Sequence, residues 1–259
     1  MTTTAHAPSV ALVERLRTRP SFQISVDVDD MSLGLTVATA ALSAGVDLVE
    51  MGTPLLKTEG VRNVVPAFRA HFPDAMLLAD MKTMDGGGFE AKGVYGGGAN
   101  IIDFLSAAGT ATARAVCAVR DQFRQDDPTL PRLAFADILL PQQGPAQAAV
   151  ETAERMVEAG VDGVGLHLQL DARRADPELF RSSYLSDAAR AVYAAVGDRV
   201  SVQVVGGLTI AQAKALAADG LKAFVISGNL GEDDGTPRYT LPADQLQRHI
   251  AGFIAEVGG

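Results

Sequence analysis

The segment Leu77-Leu-Ala-Asp-Met-Lys-Thr-Met-Asp-Gly-Gly-Gly88 places two aspartates and a lysine where an apolar strand runs into a glycine-rich turn. In an extended chain alternate side chains share a face, so Asp80 and Lys82 point to the same side as Leu78. Asp85 follows in the turn. The residues before Asp80 are apolar on both faces, which is typical of a buried parallel strand, and charges at the end of such a strand need partners or a ligand. The segment therefore predicts a functional site at a strand end.

An apolar strand, a short loop and a helical stretch repeat along the chain eight times. The predicted strands are 22–28, 46–51, 75–81, 100–105, 132–138, 162–167, 200–205 and 222–227. The predicted helices are 31–44, 58–71, 86–97, 110–125, 145–159, 178–196, 209–219 and 241–256. Strands that alternate with helices pair in parallel, and eight units in 259 residues favour a closed barrel over an open doubly wound sheet. No G-x-G-x-x-G motif follows the first strand, which argues against a dinucleotide-binding fold.

We therefore predict an α/β fold with one catalytic domain, a (β/α)8 TIM barrel over residues 22–259. Residues 1–21 are predicted to form an N-terminal extension with a short amphipathic helix from Pro8 to Arg19. Its apolar side is predicted to carry Val10, Val13 and Leu16, and to cap the body of the protein.

Composition excludes several classes of partner. The net charge is -9 and the pI is about 4.9, so the basic surface that binds nucleic acid or an anionic membrane is missing. No apolar run approaches the ~20 residues that cross a bilayer, and the first residues do not resemble a signal peptide, so we expect a cytoplasmic protein. The single cysteine, Cys117, lies in a helical pattern and is expected to be a small buried residue.

Barrel enzymes build their sites at the carboxyl ends of the strands. In this sequence those positions hold Asp27, Glu50, Asp80 with Lys82, Asp137 and His167. Four carboxylates around one ammonium repel one another, so either their pKa values rise or a cation binds. Oxygen ligands favour a hard ion, and we predict Mg²⁺; a purely structural ion-pair network is the alternative. Beside these acids, His167 is predicted to act in acid–base catalysis.

Glycines follow the last two predicted strands. Val205-Gly-Gly207 ends the seventh strand and Ser227-Gly-Asn229 ends the eighth. Glycine lets backbone N–H groups approach an anion, and these two loops are a frequent phosphate site in such barrels. The alternative is that these glycines only form tight turns.

Three blocks of sequence resemble a known superfamily. They are Val49-Glu-Met-Gly-Thr-Pro54, Glu59-Gly-Val-Arg62 and Leu78-Ala-Asp-Met-Lys-Thr-Met-Asp-Gly-Gly87. Over roughly residues 22 to 230 the chain resembles the orotidine-monophosphate-decarboxylase superfamily, in the branch of 3-hexulose-6-phosphate synthase and 3-keto-L-gulonate-6-phosphate decarboxylase.

The resemblance implies a role for each matching residue. Glu50 and Asp80 match the Mg²⁺ ligands, and Lys82 matches the lysine that binds the substrate and its enediolate. Asp85 matches an acid that reaches the neighbouring site of a homodimer. The remaining matches are the catalytic acids Asp27 and Asp137, the proton-transferring His167, and the phosphate-binding residues Gly206, Gly207, Gly228 and Asn229.

The sequence also departs from this branch. His167 is followed by Leu-Gln-Leu-Asp-Ala-Arg-Arg174 where the synthase has a shorter step, and the eighth-strand loop lacks the arginine of the decarboxylases. The chain is lengthened near 125–131 and 176–186, and residues 231–235 form an acidic loop. These departures bear on substrate identity more than on metal chemistry.

The resemblance implies a lyase acting on a ketose phosphate. The main hypothesis is a Mg²⁺-dependent aldolase that joins formaldehyde to ribulose 5-phosphate through an enediolate, as 3-hexulose-6-phosphate synthase does. Decarboxylation of a keto sugar acid phosphate by the same machinery is the alternative within the family. A Schiff-base aldolase is disfavoured because carboxylates raise the pKa of Lys82. The alternative outside enzymes is a barrel that only binds a phosphorylated ligand.

Overall fold

Eight parallel strands pair in sequence order and close into a barrel, with β1 hydrogen-bonded to β8. This architecture comes from a computed structural model that describes residues 6–140, 146–234 and 236–259. The strands are β1 Ser21–Val26, β2 Leu48–Met51, β3 Met76–Thr83, β4 Ile101–Leu105, β5 Leu133–Leu140, β6 Gly163–Leu168, β7 Ser201–Val205 and β8 Ala223–Ile226. The predicted TIM barrel is confirmed, although β1 begins one residue before the predicted domain boundary.

Helices precede β1, connect successive strands and follow β8. They are α1 Ala7–Thr18, α2 Met31–Ala44, α3 Thr53–Leu55, α4 Val61–His71, α5 Gly87–Gly96, α6 Gly109–Asp126, α7 Ala146–Glu158, α8 Leu170–Ala175, α9 Pro177–Arg181, α10 Tyr184–Val196, α11 Ile210–Ala218 and α12 Ala243–Gly258. A π-helical turn, Leu56–Gly60, precedes α4. Within the ranges described, no helix has the length and apolar character that crossing a bilayer requires.

The predicted helix over 178–196 is wrong, because this segment is divided into α9 and α10. Ser182 has an extended backbone, its hydroxyl donates to the carbonyl of Leu179, and its oxygen accepts from the amide of Tyr184. A serine that binds nearby backbone in this way competes with the helix. The sequence reading also missed α8, while the predicted first residue of the 145–159 helix lies outside the described residues.

Local signals position the helices on the barrel. Asp30 caps α2 by accepting from the amide of Leu33, and Gly45 ends that helix in a left-handed conformation with φ of 96°. Thr209 and Gln212 form a reciprocal capping box at the start of α11. These signals fix where α2 begins and ends and where α11 begins.

Two apolar layers hold the barrel. Outward-facing strand residues such as Ile24 and Val49 pack against the surrounding helices, and this layer buries Cys117 as predicted. The second layer is a smaller cluster inside the barrel that includes Phe135. Helix α1 closes the amino-terminal end of the barrel by packing Leu12 and Leu16 against this cluster. The predicted cap is therefore present.

The predicted apolar face of α1 was wrong in detail. Val10 is 51% exposed, and the buried Leu12 takes its place, whereas Leu16 is buried and Val13 packs against the same cluster as predicted. Helix α1 is anchored by the Ser9 hydroxyl, which donates to the Arg132 carbonyl at 3.1 Å, and this anchor turns the face that contains Leu12 toward the barrel.

Candidate active site

A cavity of about 820 Å³ opens at the carboxyl end of the barrel strands. One wall carries the predicted acids and Lys82, and the other carries the glycine-rich turns that follow β7 and β8. The site residues that line it are Asp27, Glu50, Asp80, Lys82, His167, Gly206, Gly207, Gly228 and Asn229. Parallel strands aligned in a barrel thus gather side chains that lie more than 200 positions apart in the sequence.

Asp27, Glu50 and Asp80 form a carboxylate cluster at the ends of β1, β2 and β3. One oxygen from each of the three lies within 4.8 Å of the others. Glu50 and Asp80 are buried, while Asp27 lies just beyond β1 with its side chain open to the cavity. Alternation along β1, β2 and β3 directs these three side chains toward the barrel axis.

Neighbours on β1 orient Glu50. The amide of Gln23 donates to Glu50 Oε2 at 2.5 Å, and the Ser25 hydroxyl lies 3.0 Å from Glu50 Oε1 and 2.8 Å from Asp27 Oδ2. These polar residues inside the barrel explain the alternation of Gln23, Ser25 and Asp27 in the sequence. They fix the carboxylate of Glu50 in one orientation.

Thr53 and Gly52, which follow β2, support the other two acids. The Thr53 hydroxyl lies 2.7 Å from Asp80 Oδ2 and 2.9 Å from the Asp80 carbonyl. Gly52 packs directly against Asp27 and Val26, where a Cβ atom would lie 2.6 Å from the Val26 carbonyl oxygen. The block Glu50-Met-Gly-Thr53 therefore supplies one acid of the cluster together with the residues that contact the other two, Gly52 beside Asp27 and Thr53 beside Asp80.

The electrostatics of the cluster favour a cation. Burial, followed by the charges of Asp80 and Asp27, raises the pKa of Glu50 well above its ordinary value. Asp80 Oδ1 is buried and has no hydrogen-bond partner in the described part of the chain. An all-oxygen donor set with a free buried oxygen fits a hard divalent ion such as Mg²⁺.

Lys82 lies at an irregularity in β3. The pairing register of β3 with β4 shifts between Asp80 and Thr83, and Lys82 has a positive φ of 46°. This bulge directs the ammonium into the mouth, where it forms an ion pair with Asp80 and lies 3.9 Å from Asp137 Oδ2. Burial opposes the charge, but Asp80, Asp137 and Glu50 outweigh it and raise the pKa of Lys82, so the amine stays protonated.

His167 and Asp137 form a hydrogen-bonded pair across β5 and β6. His167 Nδ1 lies 2.7 Å from Asp137 Oδ2. Gly165 gives Asp137 its space, since a Cβ at that position would lie 2.8 Å from Asp137 Oδ1. Burial opposes ionisation of Asp137, but the charge and hydrogen bond of His167, together with Lys82, hold its pKa below the ordinary value. An ionised Asp137 fixes the proton on Nδ1 and leaves Nε2 to exchange a proton with a ligand.

Sequence reasoning missed one buried acid of this region, Asp103 on β4. It pairs in register with Asp80, it is 5% exposed, and burial with the charge of Asp137 raises its pKa well above normal. The signal was present, because an aspartate interrupts the apolar run Ile101-Ile-Asp-Phe-Leu105. Asp103 was overlooked because only strand ends were considered.

The opposite wall of the cavity is a tight turn. Gly206 and Gly207 have φ values of 118° and 77°, which favour glycine. The Gly207 amide donates to the Ser227 hydroxyl at 3.3 Å, and the Asn229 amide group donates to the carbonyl of Gly207 at 3.0 Å. Asn229 therefore ties the two turns together. The Arg173 side chain from α8 lies on this turn, and sequence reasoning gave it no role in the site.

Asp85 is placed differently from the other predicted residues. It is exposed in the turn after β3, where its Oδ1 accepts from the Gly86 amide at 2.7 Å, and it does not line the cavity of its own chain. Nearby Met84 and Phe89 are 54% and 78% exposed. A role for Asp85 in a neighbouring site remains a prediction.

Comparison with known proteins identifies relatives of the whole barrel. Residues 20–230 match the family model described as Orotidine 5'-phosphate decarboxylase / HUMPS family. A 3-hexulose-6-phosphate synthase from Methylomonas aminofaciens is 30% identical over 72% of this chain and 82% of its own length. The synthase from Mycobacterium gastri is 28% identical, covering 80% of this chain and 89% of the relative. A probable 3-keto-L-gulonate-6-phosphate decarboxylase from Haemophilus influenzae is 33% identical over 43% of this chain and 49% of its own.

Solved structures share the same fold. A 3-hexulose-6-phosphate synthase superposes with a TM-score of 0.72 at 24% identity, over 90% of this chain and 99% of the other. A 3-keto-L-gulonate-6-phosphate decarboxylase from Vibrio cholerae superposes with a TM-score of 0.70 at 23% identity, over 92% of this chain and 98% of the other.

Proposed function

The chain belongs to the Orotidine 5'-phosphate decarboxylase / HUMPS family, and from that premise we propose that it is a carbon–carbon lyase that catalyses the 3-hexulose-6-phosphate synthase reaction. In this reaction ribulose 5-phosphate adds to formaldehyde. The observation that carries the proposal is the convergence of Glu50, Asp80 and Lys82 with the His167–Asp137 pair at the carboxyl end of the barrel, where Lys82 Nζ lies 3.9 Å from Asp137 Oδ2. The similarity to two 3-hexulose-6-phosphate synthases over most of the chain supports this choice of reaction.

We assign Mg²⁺ to Glu50 and Asp80, with Asp27 beside them. The bound ion would polarise the carbonyl and the adjacent hydroxyl of the ketose phosphate. Hydrogen bonds from Gln23 and Ser25 orient the carboxylate of Glu50 before the ion binds.

His167 moves the proton in this mechanism. Nε2 takes the proton from C1 of ribulose 5-phosphate, which leaves an enediolate, and C1 then forms the new bond to the carbon of formaldehyde. The formaldehyde oxygen, now an alkoxide, takes the proton back from Nε2, so no external acid or base is consumed. Asp137 keeps the proton on Nδ1 throughout, which leaves Nε2 free for both transfers.

Lys82 stabilises negative charge that develops on the substrate oxygens. Its ammonium is held by Asp80 and faces the same cavity as His167. A charge that is fixed before the reaction begins needs little reorganisation during it. The raised pKa of Lys82 also disfavours the neutral amine that a Schiff base requires.

The phosphate of the substrate is assigned to the turns at Gly206, Gly207, Gly228 and Asn229.

Two further observations support assembly as a homodimer. Asp85 does not line its own cavity, and Phe89, at the start of the helix that follows it, is 78% exposed. A second copy that covers this surface would bring Asp85 to the neighbouring site.

The test is to incubate the protein with ribulose 5-phosphate, formaldehyde and Mg²⁺, and to follow loss of formaldehyde and formation of the phosphohexulose. We expect turnover, a loss of at least about 100-fold in Asp80→Asn, and normal turnover in Asp244→Asn, which changes an exposed acid paired with Arg248. A folded protein that consumes no formaldehyde contradicts the synthase assignment. Release of CO₂ from 3-keto-L-gulonate 6-phosphate would then identify a decarboxylase, and borohydride trapping at Lys82 would identify a Schiff-base enzyme.

A further inference from the structure

Helix α8 places an arginine on the turn that ends β7. The helix starts three residues after His167, and Arg173 Nη1 donates to the Gly206 carbonyl at 3.1 Å. The same nitrogen lies over Gly207, at a place that a Cβ atom on residue 207 would have to occupy. The guanidinium thus rests directly on the backbone of the proposed phosphate turn.

The turn itself carries no cation. The segment Ser227-Gly-Asn229 contains no basic residue, and the Asn229 amide group is used by the carbonyls of Gly207 and Glu232. Lys82 is on the opposite wall, paired with Asp80. A phosphate bound here adds up to two negative charges to a cavity that already holds the carboxylate cluster, so it needs a nearby positive charge.

The surroundings of Arg173 suit an anionic partner. The residue is partly buried, and burial followed by the adjacent charge of Arg174 lowers the pKa of its guanidinium. Both effects disfavour the positive charge, and an incoming anion would relieve both. A guanidinium also offers two parallel N–H donors to phosphate oxygens.

We infer that Arg173 is the side chain that binds and neutralises the phosphate group of the substrate at the Gly206–Gly207 turn. The inference rests on the proposed sugar-phosphate function and assigns the charge of that site to a helix inserted after β6. In this arrangement His167, which moves the proton, and Arg173, which selects phosphorylated substrates, lie close together in the sequence. Only Leu168 to Ala172 separate them.

The test uses Arg173→Ala and Arg173→Lys, with Arg248→Ala as the control, since Arg248 is an exposed arginine paired with Asp244 and does not line the cavity. Inorganic phosphate is the probe, and its binding is measured by calorimetric titration at physiological ionic strength. This measurement does not require the protein to be catalytically active. We expect Arg173→Ala to weaken phosphate binding about 10- to 100-fold, as loss of a charged hydrogen bond does. Arg173→Lys should retain part of the affinity, and Arg248→Ala should stay within about twofold, because the charge of an exposed arginine outside the cavity is screened by salt.

Kinetics then separate this inference from the proposed reaction. Arg173→Ala should raise KM for ribulose 5-phosphate in parallel with the loss of phosphate affinity and change kcat much less. Equal phosphate affinity in wild type and a folded Arg173→Ala overturns the inference even if formaldehyde is consumed. If formaldehyde is not consumed but Arg173→Ala still loses phosphate affinity, the proposed reaction fails and the phosphate assignment stands.

Discussion

Asp137 and His167 are joined by a hydrogen bond of 2.7 Å between Oδ2 and Nδ1 across two adjacent barrel strands. His167 lines the cavity, whereas Asp137 is 2% exposed and lies behind it. The pair therefore presents a single imidazole edge to any ligand. The chemical state of that edge is set by a carboxylate that the ligand does not touch.

We expect Asp137→Asn to reduce kcat by about 100- to 10,000-fold, because the amide can donate to Nδ1 and so favours the wrong tautomer for Nε2 to accept a proton. The measurement is steady-state kinetics, with nitrogen NMR of the imidazole as a direct readout of the tautomer. Full activity in Asp137→Asn would show that His167 needs no partner. Asp187→Asn, at an exposed acid of α10, is the control for a change of charge alone.

Glu50 gives a prediction about stability and pH. Its pKa in the folded, metal-free protein is raised above the ordinary 4.5 by burial and by Asp80 and Asp27. Between 4.5 and the raised value the folded state holds more protons than the unfolded state, so the free energy of unfolding falls as pH rises through this window. With a chelator present, Glu50→Gln should therefore be more stable than wild type near neutral pH, because glutamine carries no charge to bury beside Asp80 and Asp27.

The advantage should disappear below the ordinary pKa, where Glu50 is protonated in both states, and Mg²⁺ should stabilise the wild type more than the variant. Urea unfolding at several pH values, with and without Mg²⁺, measures both effects. A Glu50→Gln protein that is less stable than wild type at neutral pH in chelator contradicts this account of the cluster.

Gly52→Ala should destabilise the protein by about 1 to 3 kcal/mol and lower activity, since the added methyl group overlaps Asp27 and the Val26 carbonyl. Gly252→Ala is the matched control. A Cβ at Gly252 meets nothing within 4 Å, and its place inside α12 predicts a gain of about 0.5 to 1 kcal/mol. Thermal or urea unfolding distinguishes the two, and equal effects would mean that the close approach of Asp27 has no energetic consequence.

Mixing two inactive variants tests whether Asp85 serves the neighbouring subunit. Asp85→Ala and His167→Ala are each expected to be nearly inactive, but unfolding and refolding them together should restore about a quarter of wild-type activity, because half of the dimers are hybrids with one intact site. Phe89→Asp should shift the protein toward monomer in sedimentation. Recovery of no activity from a mixture that does form hybrid dimers would show that Asp85 does not complete the neighbouring site.

The barrel and most of the mouth could be predicted because both depend on alternation. Gln23, Ser25 and Asp27 share one face of β1 in the sequence and in the structure, and the strand ends supply Glu50, Asp80 and His167. These patterns are local, so a single chain displays them without any knowledge of its contacts.

Three features could not be obtained in this way. The bulge at Lys82 depends on a register shift between β3 and β4, which strict alternation does not contain. The hydrogen bond between Asp137 and His167 depends on the alignment of two strands 30 residues apart in sequence. Arg173 received no role in the site because α8 was not recognised, and its contact with Gly206 arises only after the chain folds back over the barrel.

The packing of α1 under the barrel has a consequence for the order of events during turnover. Leu12 and Leu16 seal the floor, so the cavity opens at the rim formed by the strand ends. The Gly206–Gly207 turn after β7 lies on one side of this opening, while Asp80 and Lys82 on β3 lie on the other. In the proposed reaction, a ribulose 5-phosphate that reached from the glycine turns to Lys82 would occupy this opening. The second reactant would then have to enter past it or before it, and the product would have to leave by the same route.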